Sequence, residues 1–444
     1  MLPGDVPLLA DLYAFNMVEA YLREGLLAPA VFSLFVRRLP PERRYLVACG
    51  LEQVLEALER YAFDAQALDG LRAIGIPPRT LDYLAHVRFT GDVFALEEGT
   101  PFFAGEPVLE VVAPLPEAQL VEAWVINQIH VQSLAASKAA RIVRAARGRR
   151  VVDFGLRRMQ GADAALKVAR ASYLAGLSAT SNVLAGICFG IPVSGTMAHS
   201  YVQVHRRELD AFRAWTDAHR DTVLLVDTYD TLAGVDDVIR LVRELGDPFR
   251  VSAIRLDSGD LLALSHEARR RLDAAGLVRM GIFASGNLDE HEIDRLLSAG
   301  APISGFGVGT ALGVSSDAPS LDLVYKLVAY AGSDRTKLSP HKVLLPGRKQ
   351  VFRFGGANAH DVVAGSDEVR PGQPLLRQVM RHGRRCDERR PLSMLRARAA
   401  DQQAALPGEL QGLGAGAPYP VEVSAALQAR FESLRRQLEG DAQR

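Results

Sequence analysis

One pattern recurs six times between Arg150 and Thr310: a short β-prone run ends in glycine or a small polar residue and gives way to a helical segment. The runs are VVDFG (151–155), IPVSGT (191–196), VLLVD (223–227), SAIRLDSG (252–259), MGIFASG (280–286) and ISGFGVG (303–309). Between them lie helical stretches such as ADAALKVARASYLAG, AFRAWTDAH, VDDVIRLVRELG, LLALSHEARRRLDAAG and DEHEIDRLLSAG. Such alternation implies parallel strands joined by right-handed crossovers, in a barrel or an open doubly wound sheet. Polar residues gather at the ends of many successive strands, where a barrel places its site, so an α/β barrel is expected over 150–320.

The flanking segments read differently. Leu9, Leu12, Tyr13, Met17 and Tyr21 recur at helical spacing between Leu8 and Glu24, and Gly25 follows as a stop. From Val87 to Pro114, β-prone runs punctuated by Gly91, Gly99, Pro101, Gly105 and Pro107 predict a small antiparallel sheet, and a helical stretch follows from Glu117 to about Arg147. Beyond Leu321, VYKLVAYAG, KVLLP and QVFRF read as antiparallel strands. At 444 residues the chain exceeds what one hydrophobic core serves. A second α+β domain is therefore expected from the two chain ends, residues 1–149 and 321–444. The arginine-rich stretch Arg381–Arg398 and a final helix over Val423–Leu438 are expected at its periphery, with solvated charge.

Composition narrows the functional classes. The 52 basic and 52 acidic residues cancel, which leaves no general field for nucleic acid or an acidic membrane. An anionic ligand must then be held by a specific site. Cys49, Cys188 and Cys386 are far apart and form no CxxC pair, which argues against a disulfide framework or a zinc site and fits a reducing cytoplasm. The start MLPGDVPLLADLY lacks a basic region followed by an apolar run, and no later stretch is apolar for long enough to span a bilayer. Neither export nor membrane insertion is expected.

The strand ends carry the chemistry. In IRLDSGD, Arg255 and Asp257 share one strand face while Ile254 and Leu256 share the other, so a cation and a carboxylate reach one cavity or pair structurally beside a helix cap. Asp227 ends VLLV at the same level, as a helix cap or as a ligand for sugar hydroxyls or Mg²⁺. Ser285–Asn287 and Gly307–Thr310 combine glycine with hydroxyl or amide donors, which suits either a tight turn or a phosphate. Phe154 in FGLRR brings a ring beside Arg157 and Arg158, a fit for a planar aromatic acid or a core ring with surface arginines. His199 closely follows IPVSG; with His205 six residues on, it makes no standard metal pair.

DLY near the start, FGLRR, SNVLAG, SGTMAHS, VDTYDT, IRLDSGD, ASGN and GFGVGT stand in the order seen in nicotinate phosphoribosyltransferases, which this chain resembles from about Leu8 to beyond Met380. The resemblance implies an irregular α/β barrel of the type II phosphoribosyltransferase kind, with a second domain built from the N- and C-terminal segments. It also implies a homodimer with active sites at the subunit interface. The implied reaction joins nicotinate to 5-phosphoribosyl 1-pyrophosphate, coupled to ATP hydrolysis through a phosphohistidine at His199, with Mg²⁺ as cofactor. By the same matching, Tyr13, Phe154, Arg157, Thr196 and Arg255 resemble nicotinate or nucleotide contacts, and Asp227 and Asp257 the magnesium and ribose positions. Ser285, Gly286, Gly307, Gly309 and Thr310 resemble the phosphate cradle. Ser181 stands where a nicotinamide-using relative carries an aspartate near the ring amide, and serine tolerates a carboxylate that aspartate would repel. Ala10 and Asn16 depart from the family's opening motif, which often carries threonine at both places.

Overall fold

The computed structural model describes residues 3–246, 251–338, 343–356 and 358–441. The chain forms two compact units, one comprising Met1–Leu134 with Ser320–Arg444 and the other Ala135–Pro319. Helix Glu122–Ala145 carries the chain from the first into the second.

The second unit is built on six parallel strands: β1 (Arg150–Asp153), β2 (Ala179–Thr180), β3 (Thr222–Leu225), β4 (Val251–Leu256), β5 (Gly281–Ala284) and β6 (Gly305–Val308). Their spatial order is β2-β1-β6-β5-β4-β3. Because the first strand pairs with the last, that order is sequential around a ring, as in a barrel rather than a doubly wound sheet. The ring has a seam: among the described residues no pairing joins β2 to β3. IPVSGT, expected as a full strand, contributes only an isolated bridge between Val193 and Thr180. Pro192 lacks the N–H a central strand must donate, and Ala179–Thr180 takes the place beside β1 instead. The fold is thus an irregular α/β barrel, a curled half-barrel of parallel strands.

The crossover helices begin where their sequences supply a cap. Asp230, Asp260 and Asp289 each accept a main-chain N–H from the first turn of helices Thr231–Leu245, Leu261–Ala274 and Glu290–Ser298. Gly246 ends the first of these in the left-handed conformation. Val235, Val238, Leu241 and Val242 of that helix are buried, as are Ile254 and Leu256 of β4. These caps also settle an ambiguity: neither Asp227 nor Asp257 caps a helix, so both carboxylates remain available at the strand ends.

The first unit holds a seven-stranded antiparallel sheet in the order Ser333–Asp334, Leu323–Tyr330, Pro29–Val36, Pro107–Pro114, Asp92–Leu96, Leu376–Arg381, Arg384–Arg385. A four-stranded sheet, which includes Lys349–Phe354 and His360–Gly365, and a two-stranded one, Leu46–Val47 with Pro101–Phe102, lie in the same unit. KVLLP departs from expectation: its described residues, 343–346, form no strand, and Pro346 closes the run. The final helix starts later than expected, as Ala425–Asp441 behind a short strand Val421–Val423. The arginine-rich stretch is only partly solvated. Arg385 pairs with Glu52 and Glu59, and Arg398 donates to Glu97 and Thr100. Carboxylates on neighbouring elements draw these two guanidinium groups inward, which composition alone cannot foresee.

A buried ion cluster ties helix Glu122–Ala145 to the barrel. Lys138, about 1% exposed, lies 2.6 Å from Glu290 and 2.9 Å from Asp317, and Arg141 donates to Glu290 at 2.7 Å. Burial opposes the charge on Glu290, but Lys138 and Arg141 outweigh it and hold the carboxyl below its usual range. Removing Glu290 takes away the carboxylate that Lys138 and Arg141 share and leaves Asp317 as the counter-charge of buried Lys138. Glu290→Ala is therefore expected to destabilise the protein by about 3–5 kcal/mol. Denaturant titration, which should show a lower midpoint than for a surface control such as Glu292→Ala, checks this.

Candidate active site

The site grows out of β4. Strand geometry puts Ile254 and Leu256 into the core and turns Arg255 to the opposite face, where it lies in register with Phe283 of β5. Gly305 in turn pairs with Phe283, and Gly307 lies two residues further along β6. A Cβ on Gly305 would stand 2.9 Å from the Phe283 ring, and one on Gly307 2.4 Å from the Phe154 ring. The two glycines thus make room for two aromatic rings, whose centroids are 6.0 Å apart. The Arg255 guanidinium carbon lies 5.5 Å from the centre of the Phe154 ring.

Arg255 spends its donors at three places. It donates to Ser285 Oγ at 2.8 Å, to Thr196 Oγ1 at 2.9 Å and to Asp257 Oδ1 at 2.8 Å. Ser285 in turn donates to Asp257 Oδ1. Burial disfavours charge on Asp257, but the bonds from Ser285 and Arg255 win and hold its carboxyl below the usual range. It is therefore a carboxylate at neutral pH. Asp227 Oδ2 accepts the Asp257 N–H at 2.9 Å and the Ser258 hydroxyl at 2.6 Å, while its Oδ1 is buried without a hydrogen-bond partner. An orphaned hard oxygen of this kind suits a divalent cation or a sugar hydroxyl.

His199 opens the short helix His199–Gln203. Its Nε2 lies 3.9 Å from Asp257 Oδ2, and its Nδ1 lies 3.2 Å from Thr228 Oγ1. The ring is 41% exposed and so remains open to a ligand. Thr228 and Phe283 were not singled out from the sequence. Both lie inside quoted runs, VDTYDT and MGIFASG, and only the fold turns them toward the histidine and the arginine.

The remaining expected residues fall into place around this cluster to different degrees. Gly286 has φ +89°, and a Cβ there would stand 1.9 Å from the Asp257 carbonyl oxygen, so the SGN turn requires glycine to pass the end of β4. Gly309 and Thr310 lie where β6 gives way to the short helix Thr310–Gly313. Gly307 lies within β6 rather than in a loop, beneath the Phe154 ring. Ser181 sits just past β2, its N–H bonded to the Asp153 carbonyl. Asp153 itself is buried and accepts from Gly155 N–H and Thr180 Oγ1, each at 2.7 Å, which pins the Phe154 turn to β2. Arg157 is exposed in the turn Leu156–Arg158. Tyr13 belongs to the first unit, where its phenol donates to Glu122 at 2.8 Å. Among the described residues no group of three or more His, Cys, Asp or Glu side chains is arranged as a metal cage. No described helix is long and apolar enough to cross a membrane.

Comparison with known proteins agrees across the chain. Residues 8–130 match the model of the nicotinate phosphoribosyltransferase N-terminal domain, 149–338 that of the nicotinate phosphoribosyltransferase family and 367–430 that of its C-terminal domain. A nicotinate phosphoribosyltransferase of Mycobacterium tuberculosis is 54% identical over 96% of this chain and 94% of its own length. Another from Bacillus subtilis is 43% identical over 83% and 78%. The crystal structure of human nicotinic acid phosphoribosyltransferase superposes with a TM-score of 0.85 at 30% identity, covering 96% of this chain and 99% of that one. With matched models spanning most of its length, and with a relative more than half identical over nearly all of it, the chain belongs to the nicotinate phosphoribosyltransferase family.

Proposed function

We propose that the protein condenses nicotinate with 5-phosphoribosyl 1-pyrophosphate to give nicotinate mononucleotide and pyrophosphate, on the salvage route to NAD in the cytoplasm. The observation that carries this reading is the joined cluster of Arg255, Asp257, Ser285 and Asp227 at the strand ends, with an open His199 beside it. In the reaction the nicotinate nitrogen bonds to the anomeric carbon as that carbon's bond to pyrophosphate breaks. Positive charge develops on the sugar, and a carboxylate already held ionised by fixed donors stabilises it without reorganisation. Asp257 meets that requirement. Phe154 offers a ring face for the substrate ring, and Arg157 in the same turn supplies positive charge for its carboxylate. Thr196 and Arg255 close the floor. Ser285, Gly286, Gly307, Gly309 and Thr310 form the side that receives phosphate.

Mg²⁺ fits the unpartnered oxygen of Asp227, with Asp257 alongside, since this ion is usually held by one or two protein carboxylates and by substrate phosphates. When bound it would neutralise the leaving pyrophosphate. ATP coupling is assigned to His199, whose imidazole takes the γ-phosphoryl group, releases ADP and later yields the phosphate to water. Tyr13 is assigned to the site of a partner subunit, in a homodimer with active sites at the interface.

Two outcomes test the reading. Nicotinate should be converted far better than nicotinamide, and Ser181→Asp should penalise nicotinate through like-charge repulsion while affecting nicotinamide less. Competition assays showing equal use of both substrates by the unaltered protein refute the substrate assignment. With γ-labelled ATP, an acid-labile, base-stable label should appear on the protein and vanish in His199→Asn. ATP stimulation that survives that substitution undiminished removes His199 from the coupling.

A further inference from the structure

Asp153 ends β1, is 1% exposed and has no ion-pair partner among the described residues. Its oxygens are nevertheless all engaged, and they reach two different loops. Oδ1 accepts the Gly155 N–H at 2.7 Å, which ties down the turn that carries Phe154 and Arg157. Oδ2 accepts the Thr180 hydroxyl at 2.7 Å, and the main-chain carbonyl accepts the Ser181 N–H at 2.8 Å. The Thr180 hydroxyl oxygen in turn accepts the Asn182 N–H at 3.1 Å, and Asn182 caps helix Val183–Phe189. Burial pushes the Asp153 carboxyl above its usual range, and the two donors offset this only in part. A buried carboxyl met by neutral donors alone is a costly tie between two loops, and a local rule broken in this way marks a functional position.

The two loops differ in what they offer a planar acid. Arg157 is exposed, and among the described residues no hydrogen bond or ion pair holds its guanidinium, so the turn that bears it decides where its charge can reach. A Cβ on Gly155 would stand 2.8 Å from Met159 Cε and 3.1 Å from Asp153 Oδ1, so that turn is packed closely against its anchor. Ser181 stands half-buried one residue past Thr180 on the other loop. We infer that Asp153 is a positioning residue for substrate selection: by bridging Gly155 and Thr180 it fixes the Phe154–Arg157 turn relative to Ser181, and so fixes where a carboxylate on the substrate ring meets positive charge. Asp153 is buried and acts through the two loops, as outer-shell carboxylates act through the groups they orient. The inference rests on the proposed use of nicotinate, with Phe154 and Arg157 as its contacts.

The test measures kcat/KM for nicotinate and for nicotinamide in Thr180→Val, Thr180→Ser, Asp153→Asn and the double variant Asp153→Asn with Thr180→Val. The ratio of the two constants is independent of the folded fraction, so a merely structural anchor would leave it unmoved. Thr180→Val removes the hydroxyl and should lower the ratio about 10-fold, mainly through a higher KM for nicotinate. Thr180→Ser keeps the hydroxyl and should recover most of that loss. Asp153→Asn leaves one side-chain oxygen for two donors and should move the ratio the same way. Because both changes act on one bridge, the double variant should be little worse than the poorer single one. A ratio that stays at the unaltered protein's value in Thr180→Val and Asp153→Asn, a serine variant as impaired as valine, or fully additive losses would overturn the inference. If the unaltered protein does not prefer nicotinate, the substrate assignment fails, and the Phe154 ring then decides the bridge. In protein carrying fluorophenylalanine, the Phe154 signal, assigned through Phe154→Leu, should shift in substrate-free Thr180→Val and return in Thr180→Ser. An unmoved signal overturns the bridge whichever substrate is used.

Discussion

The guanidinium of Arg255 is the interaction on which the rest of the site depends. Strand β4 turns it to the face opposite the buried Ile254 and Leu256, and its three nitrogens donate to Ser285, Thr196 and Asp257. Each acceptor comes from a different strand end or loop. One planar, permanently charged group therefore sets the relative positions of the segments that follow β4, β5 and the IPVSGT run. Lysine would supply the charge at that point but not the fork, and the three segments would lose their common reference.

Electrostatics then sort the carboxylates into different tasks. Asp257 receives donors and stays ionised despite burial. Asp227 is half satisfied, with one oxygen holding the β4 end and the other without a partner. Glu208 is pushed up to about 7 by burial first and then by Asp237 and Asp227. Asp257 and Glu208 thus shift in opposite directions because fixed donors reach the first while burial and like charges act on the second. The aromatic side of the site has a steric origin: Gly305 and Gly307 carry no side chains, which leaves room against β6 for the rings of Phe283 and Phe154.

The first unit follows another logic. Its seven-stranded sheet is antiparallel, and two buried ion pairs lie within the unit: Lys349 with Glu110, and Arg353 with Asp361. Such pairs need one good geometry each, and removal of either partner leaves an uncompensated charge in the interior.

Strand–helix alternation after Arg150 was enough to call for a parallel α/β unit, and the two-residue period of IRLDSGD was enough to put Arg255 and Asp257 on one face. Both follow from local backbone geometry, which the residues themselves impose. Asp caps were legible as a class, but which aspartate caps and which is spared depends on where each helix actually begins. Tertiary structure alone decided the ring order and its seam, because pairing between distant strands is not written in either strand. It also brought Thr228 to His199, a contact across 29 positions of sequence. KVLLP had the composition of a strand, yet its described residues join no ladder, and two arginines of a tract read as solvated were drawn inward by carboxylates 301 and 333 positions away. Hydrophobic period and turn chemistry are local and survive in the sequence, whereas burial, pairing and the fate of each charge depend on neighbours that only the folded chain supplies.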